Sequence, residues 1–106
     1  MTEIKRPAEG AEYYNVCYKK DTDYLGPPGE SRFYNLWKCI LDNYLDKPCR
    51  ILDVGCGPGQ FGRMCVKRKH KYVGIDFSKV AIRICKKTIP KARCFVVDVS
   101  KDHSII

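Results

Sequence analysis

Three aspartates lie at or near the ends of three short apolar runs: Ile51-Leu52-Asp53-Val54, Tyr72-Val73-Gly74-Ile75-Asp76 and Cys94-Phe95-Val96-Val97-Asp98. Between the first two runs, Gly55-Cys56-Gly57-Pro58-Gly59 puts glycine at alternate positions, where the chain must turn before Gln60 starts the next element. Glycine tolerates positive φ and lets a ligand lie against bare backbone. Amides at the start of the following helix would face whatever sits over this turn, favouring a carboxylate or phosphate. A single acid at the end of an apolar run is ordinary. Three of them around a glycine turn point to a ligand rich in hydrogen-bond donors and containing a sugar. An acid ending the second run can accept from both hydroxyls of a ribose, and one ending the third can accept from an exocyclic amine.

The elements that must position these groups follow from periodicity. Arg50 to Val54 is expected to be a strand. Gln60 to about Arg68 is expected to be a helix, with Phe61, Met64 and Cys65 turned inward. Tyr72 to Asp76 is a second strand. Ser78 caps a helix carrying Val80, Ala81, Ile82, Ile84 and Cys85, which Pro90 closes, and Cys94 to Asp98 is a third strand. Upstream, Phe33, Leu36, Trp37, Ile40, Leu41, Tyr44 and Leu45 recur at three- and four-residue steps, predicting a helix over 33–45 with Ser31 as N-cap and Pro48 as its stop. Trp37 and Tyr44 read as core on this face. Apolar strands alternating with helices predict a parallel α/β sheet, Rossmann-like and doubly wound, covered on both faces by right-handed crossovers. The first strand of such a sheet normally lies in the middle. The chain therefore reads as a sheet truncated after its third strand, with its first strand left open at one edge and a helical N-terminal extension. An arm over 1–30, partly flexible, precedes a partial domain over 31–106. Tyr13, Tyr14, Tyr18 and Tyr24 in that arm suit either a lid over a ligand or packing on the outside, and Gly26-Pro27-Pro28-Gly29 forces a bend.

Composition sets limits. A chain of 106 residues, 44% of them hydrophobic, suits one small globular domain. No apolar run approaches membrane-spanning length, and the opening Met1-Thr2-Glu3-Ile4-Lys5-Arg6-Pro7 is too polar for a signal peptide, so a cytoplasmic location is expected. Seven cysteines, odd in number and never spaced C-x-x-C, read as reduced and mostly buried thiols, with Cys39, Cys65 and Cys94 at core positions and no metal site. The net charge of +8 leaves a nucleic-acid partner open. Much of it, however, lies in Lys67-Arg68-Lys69-His70-Lys71 and Lys86-Lys87, where basic residues suit helix C-termini.

Two cofactor classes compete for the glycine turn. Gly57-Pro58-Gly59-Gln60-Phe61-Gly62 fits the G-x-G-x-x-G of nicotinamide- and flavin-binding Rossmann domains, with Asp76 nineteen residues beyond Gly57. Asp53 argues against that choice, because a carboxylate just beneath the loop opposes a pyrophosphate. A cofactor with a sulfonium and an amino group would instead welcome it. Ile51 to Gly59 resembles the first motif of class I S-adenosylmethionine-dependent methyltransferases. Tyr72-Val73-Gly74-Ile75-Asp76-Phe77-Ser78 with Ala81-Ile82 is similar to the second motif, and Phe95-Val96-Val97-Asp98 to the third. The resemblance covers about Arg50 to Asp98, in order and spacing.

That resemblance implies a set of roles. Backbone at Gly55, Cys56 and Gly57, in the turn that Gly59 completes, would pass the methionine part of S-adenosyl-L-methionine, with Asp53 near its amino group. Asp76 would hold the ribose hydroxyls and Phe77 would flank the adenine. Asp98 would accept from the adenine amine, with Val99 beside the ring. The implied function is methyl transfer from this cofactor, with the chain supplying the cofactor-binding half. The sulfonium methyl is already activated, so the main task is in-line positioning of a nucleophile. Acceptor site and any general base usually come from segments after the third strand, so no residue here reads as catalytic. The isolated chain is expected to bind cofactor weakly or not at all and not to turn over. The acceptor is unidentified, a small molecule being slightly favoured over nucleic acid. The rival from another class is a non-catalytic cofactor-binding or interaction module, pairing as a homodimer through the open sheet edge.

Overall fold

In a computed structural model of the protein, residues 26–101 are described. The tyrosine-rich arm lies outside them, apart from its Gly-Pro-Pro-Gly end. That end forms a 3₁₀ turn, Pro28–Glu30, where proline at the first position supplies a suitable φ. Then follow α1 (Tyr34–Asn43), β1 (Arg50–Val54), α2 (Gln60–Lys67), β2 (Lys71–Asp76), α3 (Lys79–Thr88) and β3 (Arg93–Val96). The three strands form one parallel sheet in the order β1-β2-β3, with Arg50 opposite Lys71 and Val73 opposite Arg93. β1 and β3 are its edges. The fold is thus the expected Rossmann-like one, and β1 presents an open edge.

Strand parity explains where the core sits. Ile51, Tyr72 and Cys94 point to one side and meet Leu41 of α1, Cys65 of α2 and Ile82 and Cys85 of α3 in a single apolar cluster. Alternate residues Leu52, Val54 and Phe95 point to the other side and are exposed. Coverage of both faces was expected; among the described residues the helices cover one. The reason is connectivity: α2 and α3 pack with α1 against the same cluster, so no described element is left for the second face.

Three features of α1 differ from expectation. The helix starts at Tyr34, with Phe33 rather than Ser31 at the N-cap position; Ser31 Oγ instead accepts from the Phe33 amide at 3.1 Å, one turn early. Only Leu41 of its apolar residues is fully buried, whereas Tyr44 is 79% exposed and Cys39 is on the surface. An amphipathic repeat specifies which residues share a face, not how much of that face a neighbour covers. By contrast α3 has the cap expected of it, Ser78 Oγ accepting from the Ala81 amide at 3.1 Å.

The buried cysteines behave as small apolar residues. Burial pushes the Cys65 and Cys94 thiols up to about 12, and Cys85, hydrogen-bonded to Cys56 and buried, is raised further. All six described cysteines are free thiols, and Cys17 lies outside the described residues. Thiols so far above neutral pH are poor nucleophiles, which leaves them packing roles.

Candidate functional site

β1 ends in a turn with φ of +77° at Gly55, +57° at Gly57 and +91° at Gly59. The amides of Gly55 and Cys56 both donate to the Ile75 carbonyl, at 2.8 and 3.0 Å, folding the chain over the end of β2. The Gly59 amide closes the turn on the Cys56 carbonyl. Positive φ is unavailable to most side chains, which is why the turn needs this composition. The side chain of Cys56 goes inward, against Gly74 of β2: a Cβ on Gly74 would lie 2.9 Å from the Cys56 sulfur. Gly55 has nothing within 4 Å of where its Cβ would be, so its side of the turn is open.

Asp76, at the end of β2, is buried and has both oxygens engaged. Oδ2 accepts from the Gly57 amide and Oδ1 from the Ser78 amide, each at 2.9 Å. The carboxylate therefore ties the glycine turn to the start of α3. Each oxygen retains a second lone pair for a ligand hydroxyl. The sequence reading expected Asp76 to be a ligand contact; its clamp on the turn could not be read there, because Gly57 lies nineteen residues away.

Asp53 faces the helices from within β1. Its Oδ2 accepts from the Tyr72 hydroxyl at 2.7 Å. Burial pushes the Asp53 carboxyl above its ordinary range; the Tyr72 hydrogen bond opposes this and the nearby Asp76 charge adds to it. A carboxyl raised on folding costs stability while it is ionised, above its folded-state pKa, and that cost is relieved as the pH falls through this value. Asp53→Asn keeps an acceptor for Tyr72 without the charge. It is therefore expected to be more stable than the parent at neutral pH, with the gap closing in acid. Urea midpoints across pH check this; a parent more stable than Asp53→Asn at pH 7 would contradict it.

Asp98, just beyond β3, accepts from the hydroxyl and the amide of Ser100, which hold its carboxyl below the usual carboxylate range. Near neutral pH it is an ionised acceptor at the rim of the site.

These groups meet in two adjoining cavities at the carboxyl ends of the strands. One, of about 810 Å³, is lined by Gly55, Asp76, Phe77, Asp98 and Val99. The other, of about 420 Å³, is lined by Asp53, Gly55, Cys56 and Gly57, with Phe33 and Trp37 as its aromatic wall. Gly55 lines both. Gly59 lines neither and is packed against α3, where its Cβ would meet Cys85 and Ile89. Eight of the nine residues singled out in the sequence thus converge, and the ninth shapes the turn.

Sequence reasoning missed the supporting contacts. Gln60 Nε2 donates to the Gly26 carbonyl at 2.9 Å, strapping the Gly-Pro-Pro-Gly bend to the start of α2. Trp37 is half-buried and lies 5.9 Å from the ring of Phe33 and 6.0 Å from that of Phe61, so it packs against α2 and walls the smaller cavity at once. Contacts between segments so far apart leave no local signature.

The site combines an open glycine backbone with carboxylates in both lobes. It suits a ligand that carries donors at both ends: a cationic group toward Asp53, and hydroxyls and an amine toward Asp76 and Asp98. Among the described residues no group of His, Cys, Asp or Glu is arranged to hold a metal ion, and no helix is long and apolar enough to cross a membrane.

The profile of a family described as "Methyltransferase domain" matches residues 51–103, half of the 106-residue chain. The chain belongs to that family. The match begins in β1 and runs past β3, so it holds the three acids and the whole glycine turn of the methyltransferase domain. Among individual proteins, the domain is 39% identical over 82 residues to a trans-aconitate 2-methyltransferase of Rhodopseudomonas palustris, covering 76% of this chain and 29% of that protein. It is 52% identical over 33 residues to an 18S rRNA (guanine-N(7))-methyltransferase of Bos taurus, covering 31% of this chain and 12% of that one. Among solved structures it resembles a TehB-like SAM-dependent methyltransferase from Corynebacterium glutamicum, with TM-score 0.61 and 29% identity, covering 92% of this chain and 49% of that one. The PH0226 protein of Pyrococcus horikoshii shares the fold at TM-score 0.69 and 23% identity, covering 82% and 44%. The chain thus spans less than a third of the related sequences and under half of these structures.

Proposed function

We propose that the two-lobed site binds S-adenosyl-L-methionine and that the protein to which this domain belongs transfers its methyl group to a small-molecule acceptor. The observation that carries this is the meeting of Asp53, Asp76 and Asp98 around the open side of Gly55, at positions that fall inside the family match. Bound there, the cofactor supplies an activated methyl group. The chain's own residues bind and orient. Asp53 offers a carboxylate to an ammonium group, and Gly55 leaves its backbone free for close approach. Asp76 retains lone pairs for ribose hydroxyls while holding the turn. Phe77 and Val99 flank a base whose exocyclic amine donates to Asp98. A pyrophosphate cofactor fits this set of acceptors poorly, since both lobes present carboxylates.

A small-molecule acceptor is favoured by the relative that covers most of this chain, the trans-aconitate 2-methyltransferase. The free thiols accord with a reducing compartment such as the cytoplasm.

Calorimetric titration of S-adenosylhomocysteine into the 106-residue chain tests the cofactor assignment, with NAD as control. Weak, saturable binding lost in Asp98→Ala is expected, together with no response to NAD. Asp98 is the informative position because its described partner is the neighbouring Ser100, so its removal leaves the turn intact. Binding of NAD in place of S-adenosylhomocysteine would overturn the proposal.

A further inference from the structure

The opposite end of the sheet carries a second cleft that the cofactor does not use. Its volume is about 910 Å³, and Arg50, Lys69, Lys71, Lys91 and Arg93 all line it, with no acidic residue among its walls. All five cations are exposed, and among the described residues none forms an ion pair. Arg50, Lys71 and Arg93 reach it from the starts of the three strands, Lys69 from the turn after α2, and Lys91 from the loop before β3. Strand parity puts Arg50, Lys71 and Arg93 on the uncovered face with Leu52 and Phe95, and the register sets Arg50 directly opposite Lys71. Arg93 stands opposite Val73, two residues further along, and across the sheet the three span about 10 Å, two inter-strand spacings.

Two further features belong to the same cleft. Lys69 holds φ at +69°, and it is the sole residue other than glycine with positive φ among the described residues. Such a conformation costs about 1 kcal/mol or more in a side-chain-bearing residue. His70, next to it, is 6% exposed and lines the cleft; its Nδ1 accepts from the Cys49 amide at 3.1 Å, which leaves the proton on Nε2. Among the described residues that buried Nε2 has no hydrogen-bond partner.

We propose that this cleft binds the phosphodiester backbone of single-stranded nucleic acid. Five cations, three on successive strands and two on the adjoining loops, are too widely spaced for one phosphate and suit several in succession. Phe95, exposed on the same face two residues beyond Arg93 and outside the cleft wall, has the Arg93 guanidinium 5.5 Å from its ring centre and provides a platform on which a base leaving the cleft can stack. A positive groove beside an exposed aromatic ring is the general plan for sequence-tolerant binding of single strands. An acidic peptide would satisfy the cations but has no use for the ring. The proposal is independent of methyl transfer, because the cofactor lobes lie at the other ends of the strands.

The test is fluorescence anisotropy of a labelled 20-nucleotide oligouridylate with the 106-residue chain, at several KCl concentrations. Binding that weakens steeply with salt is expected. The triple variant Lys69→Ala, Lys71→Ala, Arg93→Ala should weaken it roughly tenfold or more at 0.1 M KCl. It should also flatten the salt slope by about 2, since each phosphate neutralised on a single strand contributes about 0.7. All three residues are exposed, so circular dichroism should be unchanged. A control triple of equal charge, Lys79→Ala, Arg83→Ala, Lys87→Ala on α3, should stay within about twofold of the parent, since the three are exposed and line neither the cleft nor the surface around Phe95. Phe95→Ala should weaken binding without altering the slope. Equal losses in the two triples would reduce the effect to net charge and overturn the proposal. So would absence of binding at 50 mM KCl, or displacement of the probe by polyglutamate as readily as by unlabelled oligouridylate, which would point to an acidic protein instead.

Discussion

Asp76→Ala is expected to lower the folding stability of the domain by about 3–5 kcal/mol and to abolish cofactor binding. Two backbone amides, those of Gly57 and Ser78, donate to its oxygens at 2.9 Å in a buried setting. Hydrogen bonds to a charged acceptor contribute about 1.5–3 kcal/mol each, and alanine would leave both donors buried without a partner. The effect reaches past the side chain itself. Without the carboxylate, nothing ties Gly57 to the start of α3, and the turn loses the conformation that keeps Gly55 open toward the ligand. Asp76→Asn retains one acceptor oxygen but turns an N–H₂ toward a second amide donor, so an intermediate loss is expected. Urea denaturation of the three proteins provides the measurement. A loss below 1 kcal/mol for Asp76→Ala would mean that the clamp is not formed in solution. Because destabilisation and lost binding arise together here, the Asp98→Ala titration is needed to show binding apart from folding.

Gly59→Ala should be nearly as damaging, for an unrelated reason. Gly59 sits at φ +91° and its Cβ would come within 2.8 Å of both the Cys85 sulfur and the Ile89 Cδ1. Left-handed backbone costs an ordinary residue about 1–2 kcal/mol, and forcing an extra methyl into a packed core costs about 1–3 kcal/mol more. A total near 2–5 kcal/mol is expected. Gly55→Ala separates the two contributions: its φ of +77° imposes the backbone strain, but nothing lies within 4 Å of the new methyl. It should lose about 1–2 kcal/mol. Its larger effect should fall on S-adenosylhomocysteine binding, since the methyl would occupy the space both lobes share. Thermal melts and titrations of the two variants discriminate between these outcomes. Equal destabilisation by the two substitutions would show that α3 yields to the Gly59 methyl, and that packing under the turn is looser than the distances indicate.

Much of this architecture was determined by the sequence alone, wherever the determinant was local. Short apolar runs bounded by turn and helix signals specify β1, β2 and β3. Ser78 specifies the start of α3 through an amide three residues away. The three glycines specify a turn that few other residues could adopt, and the Gly-Pro-Pro-Gly bend needs nothing beyond its own φ preferences. Order and spacing of the three acids placed them together because parallel strands joined by helices must present their carboxyl ends on one edge.

Tertiary structure alone decided which groups those acids touch. The Asp76 clamp on Gly57, the Tyr72 hydroxyl on Asp53 and the Gln60 strap on Gly26 join residues 19 to 34 positions apart. Each depends on how the crossovers stack the helices, which periodicity does not encode. The same holds for α1, where the repeat of apolar residues is plain but Leu41 alone is fully buried while Tyr44 faces solvent. It holds again for the five cations of the lower cleft. Along the chain Lys69 and Lys71 look like basic residues at the end of a helix. Only the register of β1, β2 and β3 brings them beside Arg50 and Arg93, because strand pairing joins residues that sequence distance keeps apart.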